Sequence, residues 1–289
     1  MKTKSLKRAS GLSSNQMTNT SSVSLNVYAE PADKLDWSEK YLTDKHVRMY
    51  ETCNKYAKEY TREHFDYVAE NYEGMYLRMG YPDPKYVANF VAKVAKKEHL
   101  PLAGAKIIDF ACGTGLVGKY LHEHGFRNIV GVDVSPNMLE EASNKCVYSE
   151  LHEHTLGNPE EMPVQWKNHF DFVTCAGLIN NNHMDYLLFE EMLLSIKKGG
   201  YAVFAARFSY MGLYWYDQVI KEMQESGRWK LIATDTFFKY DQLDEVSIGR
   251  FSKTPSKVFI FQKLQDELTT FKNKDEGEQG LFFKQQTFF

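Results

Sequence analysis

The sequence predicts an α/β protein in which strands and helices alternate across a mostly parallel sheet. Three observations carry that expectation. Short apolar runs recur, each followed by a segment with helical spacing: Lys106–Phe110 before Leu116–His124, Ile129–Val132 before Pro136–Lys145, and Phe170–Cys175 before Tyr186–Lys197. A glycine turn, Gly113-Thr114-Gly115-Leu116-Val117-Gly118, joins the first of these strands to its helix. Near the end, Lys230–Phe238 and Val258–Lys263 read as strands with no helix between them, so an antiparallel pair joins them most simply. Alternation of this kind implies right-handed crossovers and helices on both faces of the sheet.

Taken in order, the chain opens with Met1 to about Val27, rich in Ser, Thr, Asn and Lys, with no acid before Glu30. Such a segment reads as a disordered tail, residues 1–30. Residues 31–100 read as an N-terminal helical extension or lid. Its apolar stripe runs through Tyr41, Met49, Tyr50, Cys53, Tyr56, Tyr60 and Phe65, and Gly80, Pro82 and Pro84 make a turn before a helix at Tyr86–Lys97. The sheet domain spans 101–265. A weaker strand lies near Ser149–Leu156. Gly199 and Gly200 end the helix from Tyr186, the strand Tyr201–Ala206 follows, and a last helix lies near Gly212–Ser226. Residues 266–289 read as a flexible C-terminal tail.

Composition narrows the class further. The 289 residues are 43% hydrophobic and 14% aromatic, ample for a core, and the net charge of −3 exerts no general pull toward nucleic acid. Four cysteines (Cys53, Cys112, Cys146, Cys175) without C-x-x-C spacing give neither a zinc signature nor a disulfide framework. Reduced thiols suit a cytoplasmic or nuclear compartment. No apolar run approaches the ~20 residues that span a bilayer. A monomer without membrane or metal is expected.

The stretch Ile107 to Gly118 carries the most chemistry. A strand, a glycine loop and a helix N-terminus make a place for a nucleotide-like cofactor, since glycines admit close approach and the first helical N–H groups attract negative charge. Gly113, Gly115 and Gly118 also satisfy the dinucleotide spacing G-x-G-x-x-G, with Asp133 near the expected ribose-binding acid. Asp109, however, interrupts the strand before the loop. An acid there suits a ligand bearing an ammonium group, and S-adenosylmethionine carries one. Downstream, Ile129 to Asp133 reads as a buried strand ending in a carboxylate. Ser135 then serves as N-cap, Pro136 as first helical residue, and Met138 lies placed against a flat ring. The joint pattern favours S-adenosylmethionine over a nicotinamide cofactor.

The string Gly131 to Leu139 resembles the second motif of class I methyltransferases, and Asp109 to Gly115 resembles the first. Phe65 to about Leu264 is similar to that class, and most similar to the methyltransferase-like protein 27 family of the Williams–Beuren syndrome region. The stretches that carry this are Phe65–Tyr72, Gly113–Gly118, Gly131–Leu139, Thr155-Leu156-Gly157, and Gly199-Gly200 through Arg207. The resemblance implies a Rossmann-like sheet of seven strands with the last antiparallel. It implies that Asp109, Ala111, Gly113 and Gly115 surround the methionine end of S-adenosylmethionine, that Asp133 takes the ribose, and that Met138 packs on the adenine. Leu156 and Gly157 would line the same pocket, with Asn158 accepting from the adenine amino group and Tyr72 closing over the cofactor. Ala111 departs from the family's glycine, a mild change where its φ is negative.

For the acceptor, the loops beyond the strand carboxyl ends are the place to look: Gly177 to His183 and Arg207 to Tyr216. Arg207 ends an apolar strand, where a guanidinium must meet an anion, a salt bridge or a wet pocket. Tyr210, Tyr214, Trp215 and Tyr216 follow it. Arg207, Tyr210 and His183 are therefore the substrate-binding candidates, and no catalytic base is evident. Cys112 and Cys175 suit packing better than nucleophilic chemistry. The segment Ala176-Gly177-Leu178-Ile179-Asn180 lacks the Pro-Pro motif of DNA amino-methyltransferases. A small-molecule acceptor is favoured, a protein acceptor is second, and a catalytically silent cofactor-binding subunit is the alternative.

Overall fold

The computed structural model describes residues 61–179, 187–208, 216–240 and 254–265. Both tails, the apolar stripe from Tyr41 to Tyr60, and His183, Tyr210, Tyr214 and Trp215 lie outside the described residues. Two helices, α1 (Thr61–Arg78) and α2 (Asp83–Lys97), precede the sheet. Then follow β1 (Lys106–Phe110), α3 (Leu116–Glu123), β2 (Asn128–Asp133), α4 (Pro136–Ser143), β3 (Glu150–Glu153), a 3₁₀ turn at Val164–Trp166, and β4 (Phe170–Cys175). The remainder comprises α5 (Leu187–Ser195), β5 (Ile196–Arg207), α6 (Tyr216–Glu225), β6 (Trp229–Lys239) and β7 (Thr254–Lys263).

The seven strands form one sheet in the order β3-β2-β1-β4-β5-β7-β6. Strands β1 to β5 pair in parallel, whereas β7 runs antiparallel between β5 and β6. The chain is thus the mostly parallel α/β protein that its pattern predicts and the Rossmann-like, seven-stranded sheet that the resemblance implies, with the terminal antiparallel pair present and β7 inserted inside β6.

Alternate residues of the central strands feed two cores. Ile108, Phe110, Val130, Val132, Val173 and Phe204 pack against Leu188, Phe189 and Met192 of α5 and Ile220 and Met223 of α6. On the other face, Ile107, Ile129, Phe172 and Val203 pack against Val87, Phe90, Val91 and Val94 of α2 and Val117 and Leu121 of α3. Burial on both faces explains why these strands read as continuous apolar runs. Helix α2 therefore belongs to the sheet layers, while α1 packs on α4 at the carboxyl ends of the strands. Among the described residues, no helix is long and apolar enough to cross a membrane.

Two of the element boundaries that differ from the sequence reading have a clear physical cause. Helix α2 starts at Asp83 rather than Tyr86, because Pro82 is its N-cap and Pro84 lies in the first turn, where a missing N–H costs nothing. Helix α5 ends at Ser195, and β5 begins at Ile196, ahead of the glycine pair. Gly199 has φ of 82°, and a side chain at Gly200 would press on the backbone oxygens of Asp171 and Lys197. The glycines therefore serve a strand irregularity, where the β4–β5 register shifts between Phe170 and Phe172, and not a helix cap. The end of α5 is closed instead by the buried ammonium of Lys263, which donates to the carbonyls of Leu193 and Ile196 and to Asn168 Oδ1.

Candidate functional site

A cavity of about 380 Å³ opens beyond the carboxyl ends of β1, β2 and β4, within the size range of small-ligand pockets. Its floor is the loop after β1 (Ala111, Gly113) and the end of β2 (Asp133, Val134). Met138 of α4 and His154, Thr155 and Leu156 after β3 form one side, and Ala176, Gly177 and Leu178 after β4 form another. Helix α1 supplies the roof through Thr61, Arg62, Glu63, Phe65 and Tyr72.

The structure brings Tyr72, Ala111, Gly113, Asp133, Met138 and Leu156 together on this cavity. Asp133 is held by two backbone amides, Gly113 N–H to Oδ2 at 2.8 Å and Ser135 N–H to Oδ1 at 3.0 Å. Burial raises its carboxyl above the ordinary range, and those amides work against the rise. Each carboxylate oxygen retains a second lone pair for a hydroxyl from the cavity. Met138 is fixed by the cap that the sequence predicts: Ser135 Oγ accepts from Met138 N–H at 3.1 Å. The same hydroxyl donates to Asp66 of α1 at 2.6 Å, so one serine both starts α4 and anchors the roof. Asn137 adds two bonds to Asp66, and Arg62 pairs with Glu153 across the rim.

Four of the expected cofactor residues do not line the cavity: Asp109, Gly115, Gly157 and Asn158. Asp109 is wholly buried behind the loop, its two oxygens taking the hydroxyls of Thr174 (2.7 Å) and Tyr148 (2.8 Å). Burial pushes its carboxyl up to about 7 despite those donors, and Asp133 adds to the rise. Gly115 is the left-handed N-cap of α3. The amides of Gly157 and Asn158 donate to the buried carboxylate of Glu191 at 2.6 and 3.1 Å. The Asn158 side chain accepts from Glu160 N–H, closing its own turn. Sequence spacing brought these residues near the site without showing which partners 30 or more positions away would take them.

Ala111 has φ of 52°, so the condition under which alanine is a mild replacement is not met. The left-handed region costs an L-residue roughly 1–2 kcal/mol, and glycine's extra unfolded-state freedom returns about 0.5–1 kcal/mol of that. Ala111→Gly is therefore expected to stabilise the protein by about 0.5 kcal/mol, read as a raised urea midpoint with unchanged slope; a lowered midpoint would show that the methyl group packs usefully.

The glycine spacing itself has an internal cause. Side chains at Gly115, Gly118 or Gly131 would each come within 3 Å of the Tyr148 ring, whereas at Gly113 nothing lies within 4 Å. Three glycines thus make room for a tyrosine, and Gly113 leaves the loop open to the cavity. Tyr148 and Thr174 carry no motif of their own and are not evident from the sequence.

Beyond the Gly177 wall lies a second polar cluster. Gly177 (φ of 87°) abuts the Tyr81 hydroxyl, and the Lys239 ammonium lies 4.9 Å from the centre of the Tyr81 ring. Lys239 forms a buried ion pair with Asp83 at 2.5 Å. Arg207 does not line the cavity; it donates to the Tyr240 hydroxyl at 2.7 Å, with its guanidinium 5.3 Å from that ring. Cys112 and Cys175 are buried, and burial raises both thiols, which leaves them packing groups.

Residues 108–204 match the family model described as a methyltransferase domain. The chain is similar to methyltransferase-like protein 27 of Homo sapiens, 32% identical over 133 residues, which cover 45% of this chain and 53% of that protein. It is also similar to demethylmenaquinone methyltransferase of Symbiobacterium thermophilum, 32% identical over 151 residues, covering 50% and 57% respectively. A ubiquinone biosynthesis O-methyltransferase of Coxiella burnetii is 25% identical over 122 residues, covering 42% and 52%. The chain spans a little over half the length of these relatives.

Proposed function

We propose, on the premise that residues 108–204 are a methyltransferase domain, that the protein transfers a methyl group from S-adenosylmethionine to a small molecule. The observation that carries this reading is the meeting of Asp133, Met138, Ala111 and Gly113 on one cavity roofed by Tyr72. An acid for ribose hydroxyls, a thioether for the adenine face and an open glycine loop for the amino-acid end fit that cofactor. Two relatives are named as a demethylmenaquinone methyltransferase and a ubiquinone biosynthesis O-methyltransferase, which supports a small-molecule acceptor over a protein.

S-adenosylmethionine supplies a methyl group already activated on a sulfonium. The chain's own contribution is then alignment and exclusion of water, which can supply several kcal/mol. Tyr72 and Phe65 close the roof, Asp133 and Met138 orient one end of the ligand, and Ala176 to Leu178 border the side facing Tyr81. A base is required only for a nucleophile that arrives protonated and weakly acidic. Arg207, off the cavity beside Tyr240, would orient an acidic or planar acceptor that extends beyond the cavity to reach it.

Calorimetric titration tests the reading. S-adenosylmethionine and S-adenosylhomocysteine should both bind, and NAD should not; if neither sulfur compound binds, the proposal fails. Arg207→Met is expected to lower methyl transfer to metabolite pools by about tenfold or more while leaving S-adenosylhomocysteine affinity unchanged. An unaltered rate would remove Arg207 from the acceptor site.

A further inference from the structure

Tyr148 stands between the two ends of the glycine loop and touches both. Its hydroxyl accepts from Gly118 N–H in the first turn of α3 at 3.2 Å and donates to Asp109 at the end of β1 at 2.8 Å. Its ring fills the hollow that Gly115, Gly118 and Gly131 leave open. The loop from Ala111 to Gly115 is therefore tied at both ends to one phenol outside the motif. We propose that Tyr148 is a positioning residue for S-adenosylmethionine, acting through the first turn of α3 and the buried charge of Asp109 to fix the glycine loop that meets the ligand's amino-acid end. This rests on the methyltransferase reading and deepens it.

The geometry leaves Tyr148 no direct contact with the ligand, since it does not line the cavity. Its hydroxyl can accept from Gly118 only while its proton points at Asp109, so the bond pair has one sense. That sense favours the ionised form of Asp109, the form that attracts an ammonium group. The groups facing Asp109 are Tyr148, Thr174 of β4, Asp133 of β2 and the thiols of Cys112 and Cys175. Of these, only the Tyr148 and Thr174 hydroxyls stabilise its charge. Loss of either donor should make Asp109 harder to ionise.

The test is S-adenosylhomocysteine affinity by calorimetry from about pH 5.5 to about pH 8.5, bracketing the Asp109 value of about 7. In the unaltered chain affinity should rise with pH across that range. Tyr148→Phe keeps the ring in its hollow and removes the hydroxyl, so the rise should move upward by about one pH unit. Thr174→Val removes the donor to the other oxygen without touching the α3 turn, and should move it in the same direction. Thermal melts establish that each variant is folded, and Thr174→Val alone carries the comparison if the phenylalanine variant is not. Profiles that superimpose on the parent in the folded variants would overturn the proposal, because a merely structural tyrosine changes affinity without moving the midpoint. Failure of the unaltered chain to bind S-adenosylhomocysteine at any pH would sink the methyltransferase reading itself, a separate outcome.

Discussion

Asp109→Asn is expected to make the ligand-free protein more stable above pH 7 while weakening S-adenosylmethionine binding. Burial raises this carboxyl from its ordinary 3.8 to about 7. The folded state thus holds a proton that the unfolded state has lost between those values, so the contribution of this group to stability falls as pH rises through that window. At 1.36 kcal/mol per unit, the full cost of the ionised carboxylate by pH 8 is about 4 kcal/mol. Asparagine keeps an acceptor for Thr174 and can donate to the Tyr148 oxygen, so it escapes most of that cost. Urea unfolding at pH 5 and pH 8 should show a gain of about 2–4 kcal/mol at the higher pH and roughly 40% of that at the lower. Affinity should drop roughly tenfold, through loss of the negative charge behind the glycine loop rather than of a direct contact. A variant no more stable at pH 8, with binding intact, would mean that Asp109 is neither strained by its charge nor used by the ligand.

Lys239→Met should be the most damaging single change in the second polar cluster. Lys239 ends β6, Asp83 begins α2, and their side chains are 7% and 1% exposed. Removal of the ammonium strands a carboxylate in the interior, which costs about 3–5 kcal/mol at neutral pH. Burial already raises Asp83 above the ordinary carboxylate range, with Lys239 and then Arg207 pulling it down. Without Lys239 the rise is larger, so protonation relieves the variant at mildly acidic pH. The defect measured by urea unfolding should therefore be deeper at pH 8 than at pH 5. Adding Asp83→Leu should restore most of the lost stability at pH 8. A double variant as unstable as the single would show that Lys239 acts through packing and not through its charge.

Much of the fold was legible because its signals are local. The bounds of β1 and β4 follow directly from apolar runs that end at a glycine loop and a cysteine. The N-cap at Ser135 and the proline after it mark α4 within two positions. The α5–β5 boundary was not legible, since Gly199 and Gly200 look the same in sequence whether they end a helix or relieve a crowded strand. At the site, the placement of Asp133 and Met138 on the cavity was readable because their positions are set within their own motif. The surroundings of Asp109 and Asn158 were not, because Tyr148, Thr174 and Glu191 reach them from 39, 65 and 33 residues away. Local pattern says what a residue can do; distant partners decide whether its oxygens are already taken.

The placement of β7 between β5 and β6 also sets an order of assembly. Among the described residues, strand β6 bonds only to β7 and β5 has no other partner on that side, so neither edge closes until Thr254–Lys263 has docked. Among the described residues, those lining the cavity reach no further than Leu178 and can be arranged by β1 to β4, α1 and α4. Arg207, opposite Ser256 in the β5–β7 ladder, and Lys239, opposite Thr254 in the β6–β7 ladder, must wait for a strand that arrives far later in the chain. During synthesis the cavity lining can mature while β5 still presents an open edge, a window in which mispairing is the principal hazard.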